Sequence, residues 1–438
     1  MDKNLNLNLV DLINVYKKNS KIFSDINWAH QYCDEPQLYL FGIVEKDLSK
    51  YSDGFIERYE PHSTGASFDL EKALIKVIGE IIERHCCNTY RYKDFLFGTK
   101  TDITNSLDPV QFLLYTSDLI NKNSNFNIKK NDKFNWLKGK SLLNNKDVYI
   151  PSQLIYTNYD HQRKEKIIQY QTSNGAGAGF SIEDAVYRGI MELIERDAFM
   201  IFYLNKICPK KVETKFITNT KIQYALQKIK DYNLNLSILN ITTDLNIPTY
   251  LAIIIDPTFI GMPISFGAKS DFSSESAILG AIEEVIQVRS WMRSIYENYK
   301  EKHKVINKDQ IVSIIQRGIF WFDKKLIKSL DFFLNTSKIE RFKPITLSNN
   351  KKFLFSTLKK RLLKNKIEIF YVDVTTKEFT KSDYRVVKVI SPQLMPIYFN
   401  EKYPLNNCKR IYELPVKLGY LIKPNAEKQL NKIPHPFL

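Results

Sequence analysis

The sequence predicts a mixed α/β (α+β) fold in which three glutamate-bearing helices converge on one site. Three observations carry this expectation. Three segments rich in Ser, Gly or Ala are each followed by a stretch of helical periodicity. The three helical stretches share one glutamate spacing. Apolar, partly β-branched runs such as residues 236–241 and 249–255 read as strands.

The central stretch is residues 171–198. Its first half holds Gly175, Gly177 and Gly179, three of only 15 glycines. Its second half reads as a helix. Ser181 is suited to the N-cap, with Asp184 three residues on. Ala185, Ile190, Leu193, Ile194 and Ala198 have mostly helical spacing. Glu192 and Glu195, at i and i+3, therefore share a face. One such pair is most simply a solvated helix face.

The pair recurs, however. Glu71, Ala73, Glu80 and Glu83 repeat the spacing of Glu183, Ala185, Glu192 and Glu195. Glu275, Ala277, Glu284 and Gln287 repeat it again, with an amide in the last place. Arg84 and Arg196 follow the first two copies at once, and Arg289 follows the third after one more residue. The copies lie too far apart for a solenoid. They read as three separate helices presenting like faces to one place.

Five carboxylates and an amide, without matching His or Cys, suit a hard cation. Mg²⁺ prefers oxygen ligands and shares them with substrate phosphates. Glycine-rich segments running into helix N-termini are natural phosphate cradles. The residues thus point to a magnesium–nucleotide site. No Gly-x4-Gly-Lys-Ser/Thr loop occurs, and Gly175-Ala-Gly-Ala-Gly179 lacks the dinucleotide spacing.

The run from Ser173 through Gly179, followed by Glu192-Leu-Ile-Glu195-Arg196-Asp197-Ala198, resembles the central signature of YcaO-domain proteins. Glu80-Ile-Ile-Glu83-Arg84 resembles their earlier Glu-x-x-Glu-Arg helix. Glu284-Val-Ile-Gln287-Val-Arg289 resembles their later one. The resemblance implies a YcaO-type fold that binds ATP and Mg²⁺. It implies Glu80, Glu83, Glu192, Glu195 and Glu284 as metal ligands, and Ser67, Asn174, Arg196 and Gln287 as nucleotide contacts. Thr64-Gly65-Ala66 stands where the family commonly has Gly-Lys-Gly, so a lysine contact is missing or replaced.

The formal net charge of +16 comes from lysines scattered along the chain, so the expectation is a solvated basic surface without nucleic-acid partners. No apolar run approaches a membrane span, and the start of the chain lacks a signal-peptide shape. Five cysteines without a Cys-x-x-Cys pair read as thiols of a cytoplasmic protein.

In chain order, residues 1–60 are an N-terminal segment of unassigned role. Within it residues 5–16 suit a helix and 39–44 a strand. Residues 61–438 form the catalytic domain, with a polar insertion near 99–147. Residues 142–150 read as a hairpin, and 148–155 as a strand entering the central signature. Residues 209–256 read as strand, helix, strand, strand. Residues 325–334 and 351–363 suit helices, and 367–373 a strand. Residues 386–399 resemble the family's late proline-containing stretch.

The last residues are Pro434-His-Pro-Phe-Leu438. Alternate prolines pre-extend this segment. Azoline-forming members of the family typically end in Pro-x-Pro-x-Pro, and their tail reaches the active site. Pro434, Pro436 and Leu438 are accordingly the expected catalytic-tail positions, with Leu438 in place of the last proline. The resemblance implies ATP-dependent cyclodehydration of Cys, Ser or Thr to thiazoline or oxazoline in a ribosomal precursor peptide. Thioamide formation and a non-catalytic scaffold role are the alternatives. A leader-binding E1-like protein is the expected partner. An FMN-dependent dehydrogenase in the same complex and a homodimer are both compatible with the chain.

Overall fold

The computed structural model describes residues 3–53, 62–161, 165–170, 172–299, 306–348 and 350–438. Gln171 and residues 54–60 of the N-terminal segment lie outside them. The first half of the chain forms α1 (Lys3–Lys18), β1 (Asn27–Trp28), β2 (Tyr39–Val44), β3 (His62–Ser67), α2 (Leu70–Asn88), β4 (Leu96–Thr99), α3 (Ser117–Lys122), β5 (Lys133–Ser141), β6 (Asp147–Pro151), β7 (Ala176–Gly179) and α4 (Ile182–Leu204). The second half forms β8 (Lys210–Glu213), α5 (Thr220–Asp231), β9 (Asn235–Asn240), β10 (Thr249–Ile255), β11 (Ile264–Ser270), α6 (Ser274–Asn298), α7 (Ile314–Phe320), α8 (Asp331–Leu334), β12 (Ile339–Arg341), α9 (Lys351–Lys364), β13 (Phe370–Asp373), β14 (Arg385–Ile390) and α10 (Lys409–Lys417).

The strands make three sheets: β1-β2-β3, β11-β10-β9-β8-β12, and β4-β5-β13-β14-β7 with β6 also on β5. Each glutamate helix follows an edge strand of a different sheet, β3, β7 or β11. Each starts at a polar cap, with Asp69, Ser181 and Ser273 accepting from the amides of Lys72, Asp184 and Ser276. These caps satisfy amides that a helix start leaves without partners.

One glycine in each edge strand lets its helix lie close. A Cβ on Gly65 would fall 2.5 Å from the Ala73 carbonyl of α2. A Cβ on Gly177 would fall 2.3 Å from the Ala185 carbonyl of α4, and one on Gly267 would fall 2.5 Å from the Ala281 carbonyl of α6. These segments are buried strands, so the expected phosphate cradle of glycines is replaced by a packing role. Gly175, just before β7, takes the left-handed backbone that glycine permits, with φ of +76°.

The packing is cyclic. α2 lies on β3 and β2 and also touches β7 and β14. α4 lies on β7 and β14 and also touches β11 and β10. α6 lies on β11 and β10 and reaches back to β3. Each helix is therefore wedged between its own sheet and a neighbour's, and the three meet in the middle.

The N-terminal segment locks into this ring. Buried Glu35 pairs with Arg289 and, at 3.2 Å, with Arg293, both on α6. Asp256, just past β10, accepts from Arg289 at 2.6 Å. Arg289 thus anchors α6, unlike its sequence counterparts Arg84 and Arg196, which turn to the glutamates.

Several local expectations shift. The strand expected over 148–155 ends at Pro151, and a 3-10 turn over Ser152–Leu154 follows. Proline there supplies no amide to a ladder. Residues 325–334 split into a 3-10 turn, Lys324–Leu330, and the short α8. Within 99–147, β5 is an interior strand that buries Phe134 and Trp136. Among the described residues no helix is long and apolar enough to cross a membrane.

The close approach at the edge strands has a direct test. Gly267→Ala should destabilise the protein by about 1–3 kcal/mol, the usual range for overpacking. Gly42→Ala is the control, because its Cβ would meet only the Ser63 carbonyl, at 3.8 Å. Equal denaturant midpoints for the two variants would contradict the packing role.

Candidate nucleotide and metal site

The carboxylates of Glu80, Glu83, Glu192, Glu195 and Glu284 share one electrostatic neighbourhood where the three helices meet. Glu83 is pushed up to about 8, first by burial and then by the charges of Glu192 and Glu80. Glu284 is pushed up to about 8 by burial and by Glu195. Burial also raises Glu195, with a further push from Glu192 and relief from Lys269. Burial and like charge both disfavour the ionised form.

Cations and amides restrain the cluster. Arg84 pairs with Glu80 at 2.9 Å and Arg196 with Glu192 at 2.5 Å, each across one helical turn. The Lys269 ammonium stands 3.6 Å from Glu195. Backbone amides complete the set: Gly175 donates to Glu192 at 3.2 Å, Ser270 to Glu195 at 3.1 Å and Ala268 to Glu284 at 2.7 Å. Two of these amides belong to β11, and Gly175 lies just before β7. The strand ends thus hold the glutamates that their own or a neighbouring helix supplies.

Asn174 bridges outward from the cluster. Its carbonyl oxygen accepts from Arg196 at 2.6 Å, and its amide donates to the Ile397 carbonyl at 2.8 Å. The Arg196 Nε is buried and has no hydrogen-bond partner among the described residues. A buried guanidinium N–H with no acceptor is costly, and an anionic oxygen would satisfy it.

Ser67 and Gln287 bond to groups other than the five carboxylates. Ser67 donates to buried Glu283 at 2.6 Å, and Gln287 donates to Thr64 Oγ1 at 2.8 Å. Glu283 also accepts from the Phe68 amide at 3.1 Å and from Lys76 at 2.7 Å. It borders a pocket of about 210 Å³, shared with Phe68, Lys72, Tyr224 and Leu279. Lys72, Lys76, Glu80 and Glu83 follow one face of α2 from this pocket to the carboxylates.

The Pro434–Leu438 segment is packed. Pro434, His435, Pro436 and Phe437 are buried, and Phe437 lies 4.9 Å from Phe199 of α4, ring to ring. The Pro434 carbonyl accepts from Trp321 and Tyr203, and the His435 carbonyl accepts from Arg317 at 3.1 Å. Burial and the charges of Arg317 and Arg196 push the His435 pKa well below its usual value, against the opposing pull of the Tyr398 and Phe437 carbonyls at its two ring nitrogens. Arg196 is thus a neighbour common to His435 and the carboxylates. Leu438 packs farther off, beside Gly318.

Sequence reasoning missed Glu283, Lys76, Lys269 and Lys388. Lys388 was visible in principle. It is the one charged residue inside the apolar run Val386–Ile390, where a buried lysine needs a reason. Glu283 was overshadowed by Glu284, since adjacent helical residues face different partners.

The donor set fits a hard divalent cation with phosphate. All five carboxylates carry oxygen ligands, and their mutual repulsion is what such a charge relieves. Among the described residues no three ligand side chains stand close enough to hold a metal as they are. In this arrangement the carboxylates turn instead to Arg84, Arg196, Lys269 and the strand amides.

The raised pKa values fix the sign of a pH effect. Between the ordinary glutamate value of 4.5 and about 8, folded Glu83 and Glu284 hold protons that the unfolded chain has released. Stability therefore falls as pH rises through that window. Thermal melts of the metal-free protein should show this decline. Glu83→Gln should flatten it, and saturating Mg²⁺ with nucleotide should offset it. Melting temperatures independent of pH in both proteins would contradict the shared burial of these groups.

Comparison with known proteins adds three findings. The model of the YcaO cyclodehydratase family, described as ATP- and Mg²⁺-binding, matches residues 64–395. An uncharacterized protein of Methanothermobacter thermautotrophicus is 25% identical over 157 residues, 35% of this chain and 41% of that protein. Among solved structures, a heterocyclase in complex with substrate and cofactor superposes with a TM-score of 0.79 at 18% identity, over 98% of this chain and 57% of that one. YcaO from Methanopyrus kandleri, bound with AMPPCP and Mg²⁺, superposes with a TM-score of 0.63 at 14% identity, over 88% and 89%. The chain therefore spans less than half of that curated relative and little more than half of the heterocyclase. With three glutamate helices meeting at one carboxylate cluster and the family model matching most of its length, the chain belongs to the YcaO cyclodehydratase family, whose cofactors are ATP and Mg²⁺.

Proposed function

We propose that the protein is an ATP-dependent cyclodehydratase that converts Cys, Ser or Thr of a ribosomal precursor peptide to thiazoline or oxazoline. The observation that carries this reading is the meeting of five carboxylates from three like helices beside Arg196. Glu80, Glu83, Glu192, Glu195 and Glu284 would hold Mg²⁺, with Gln287 at their edge. The base end of the nucleotide would occupy the pocket at Glu283, Phe68 and Ser67. From Lys72 to Glu80 α2 rises about 12 Å, a distance that suits an extended nucleoside triphosphate.

In the reaction, a side-chain thiol or hydroxyl attacks the preceding carbonyl carbon. The oxygen, now anionic, takes the γ-phosphoryl group and ADP leaves. The amide nitrogen then expels phosphate as the ring C=N bond forms, and the thiol or hydroxyl proton and the amide proton are released. Bound Mg²⁺ supplies neutralisation of phosphate charge, the main requirement of phosphoryl transfer. Arg196, held by Asn174 and Glu192, would turn its Nε–H to the transferring group. The Pro434–Leu438 segment would support Arg196 from behind through His435 and Phe437.

The proposed partners are the precursor peptide, a leader-binding E1-like protein and an FMN-dependent dehydrogenase acting on the azoline. A cytoplasmic location suits a consumer of ATP and of freshly made peptide.

Mass spectrometry of precursor peptide co-produced with the protein and its partner distinguishes the chemistries. Loss of one water per modified residue is expected. Exchange of oxygen for sulfur would assign thioamide formation instead, and unmodified peptide would favour a scaffold. Glu192→Gln should lower ATP turnover at least roughly tenfold to a hundredfold, as loss of metal-site groups does, with the melting profile preserved. Unchanged turnover would remove Glu192 from the site.

A further inference from the structure

A groove opens beside the carboxylate cluster. Residues 169, 170, 172 and 174 supply part of its lining and residues 388–397 much of the rest. Neither stretch is helical, and beyond Ile390 the second has left its strand. Two such stretches side by side invite pairing with each other. Pro392 and Pro396 lack the amides that pairing needs, which keeps the groove open. The second stretch is tied to the first by Asn174 on the Ile397 carbonyl and to α4 by Asp197 on the Met395 amide, both at 2.8 Å.

The groove communicates with the reacting end of the site through Lys388. This side chain is 3% exposed and lines the groove. Burial pushes the Lys388 pKa below the usual lysine value, and the nearby Glu192 and Glu83 carboxylates oppose that push. Its hydrogen bond among the described residues goes to the Thr172 carbonyl at 2.8 Å. An ammonium has three donors, so two remain for a ligand. Spare ammonium donors that face a groove suit a partner that carries or develops negative charge.

The enclosed space is about 50 Å³. That is room for roughly four waters, or for one small side chain such as Cys, Ser or Thr. The lining mixes amide and hydroxyl groups with Phe112, Leu114 and Leu394. The amides of Tyr170, Asn174 and Leu394 are bonded within the protein, so a peptide would meet this lining through its apolar wall, its side-chain polar groups and Lys388.

We propose that this groove seats the extended backbone of the acceptor peptide and that Lys388 donates to the amide oxygen that becomes phosphorylated. The inference rests on the cyclodehydratase reading. As the side-chain sulfur or oxygen bonds to the carbonyl carbon, the C=O π electrons move to oxygen. Lys388 faces the charge that develops there, and it keeps its proton throughout. The oxygen then bonds to the γ-phosphorus as ADP leaves, so charge passes from a place beside Lys388 to the phosphate group beside Arg196.

The test uses the complete protein with its partner and precursor, and reads kcat, peptide KM, Mg·ATP affinity by calorimetry, and melting temperature. Lys388→Met should lower kcat for modification by about a hundredfold, the scale for a lost oxyanion donor, with Mg·ATP affinity and melting temperature within about twofold and a few degrees of wild type. Pro396→Trp, which fills the groove from its rim, should raise peptide KM at least tenfold with Mg·ATP affinity unchanged. Wild-type kcat in Lys388→Met, or unaltered KM in Pro396→Trp, would overturn the proposal. Loss of Mg·ATP binding in Lys388→Met would overturn it too, assigning the lysine to the nucleotide. A wild-type protein that binds no Mg·ATP, or modifies no precursor, would instead defeat the cyclodehydratase reading itself.

Discussion

Like charges held together against their repulsion are the constraint around which this molecule is built. Glu83, Glu195 and Glu284 each have their proton affinity raised by burial and by another carboxylate of the set. A chain that needed only stability would place apolar residues where these helices meet. The cost is met by the surrounding construction: glycines that bring each helix onto its strand, strand amides that solvate the carboxylates, and Arg84, Arg196 and Lys269 close by. Cation and phosphate binding would relieve the repulsion that the fold imposes.

The three strand–helix units are similar but not equivalent. The first two place Glu, Glu and Arg in one line, and their arginines turn to the carboxylates. In the third, Gln287 bonds to Thr64, Glu283 faces Ser67, and Arg289 is drawn into the pairs with Glu35 and Asp256. The asymmetry divides the labour. Two helices supply four of the five carboxylates, and the third adds Glu284 and reaches with Glu283 to the pocket beside Phe68. The N-terminal segment matters here because Glu35 fixes the angle of α6, although it supplies no group to the cluster.

Much of this was legible in the sequence because it depends on local periodicity. The shared Glu spacing, the cap Ser181, and strands such as β2 and β10 follow from patterns a few residues long. What escaped depends on distant partners. Gly65, Gly177 and Gly267 read as a loop signature until each is seen pressed against a helix carbonyl. Glu283 looks like a spare neighbour of Glu284 until Ser67, 216 positions away, is found donating to it. Pro434 and Pro436 predict an extended segment, yet nothing in them foretells burial by Phe199, Trp321 and Arg317. Lys388 was the recoverable case, since a lysine in an apolar strand run is seldom there for packing alone.

The central claim is that five carboxylates from three helices form one cation–nucleotide site. Crystals of the protein grown with Mn²⁺ and a non-hydrolysable ATP analogue test it directly, because Mn²⁺ is located by its anomalous scattering. The account predicts anomalous peaks bounded by Glu80, Glu83, Glu192, Glu195 and Glu284, shared with the phosphate oxygens, and the base beside Glu283. Nucleotide bound elsewhere, or Mn²⁺ held by phosphate and water without these glutamates, would contradict it.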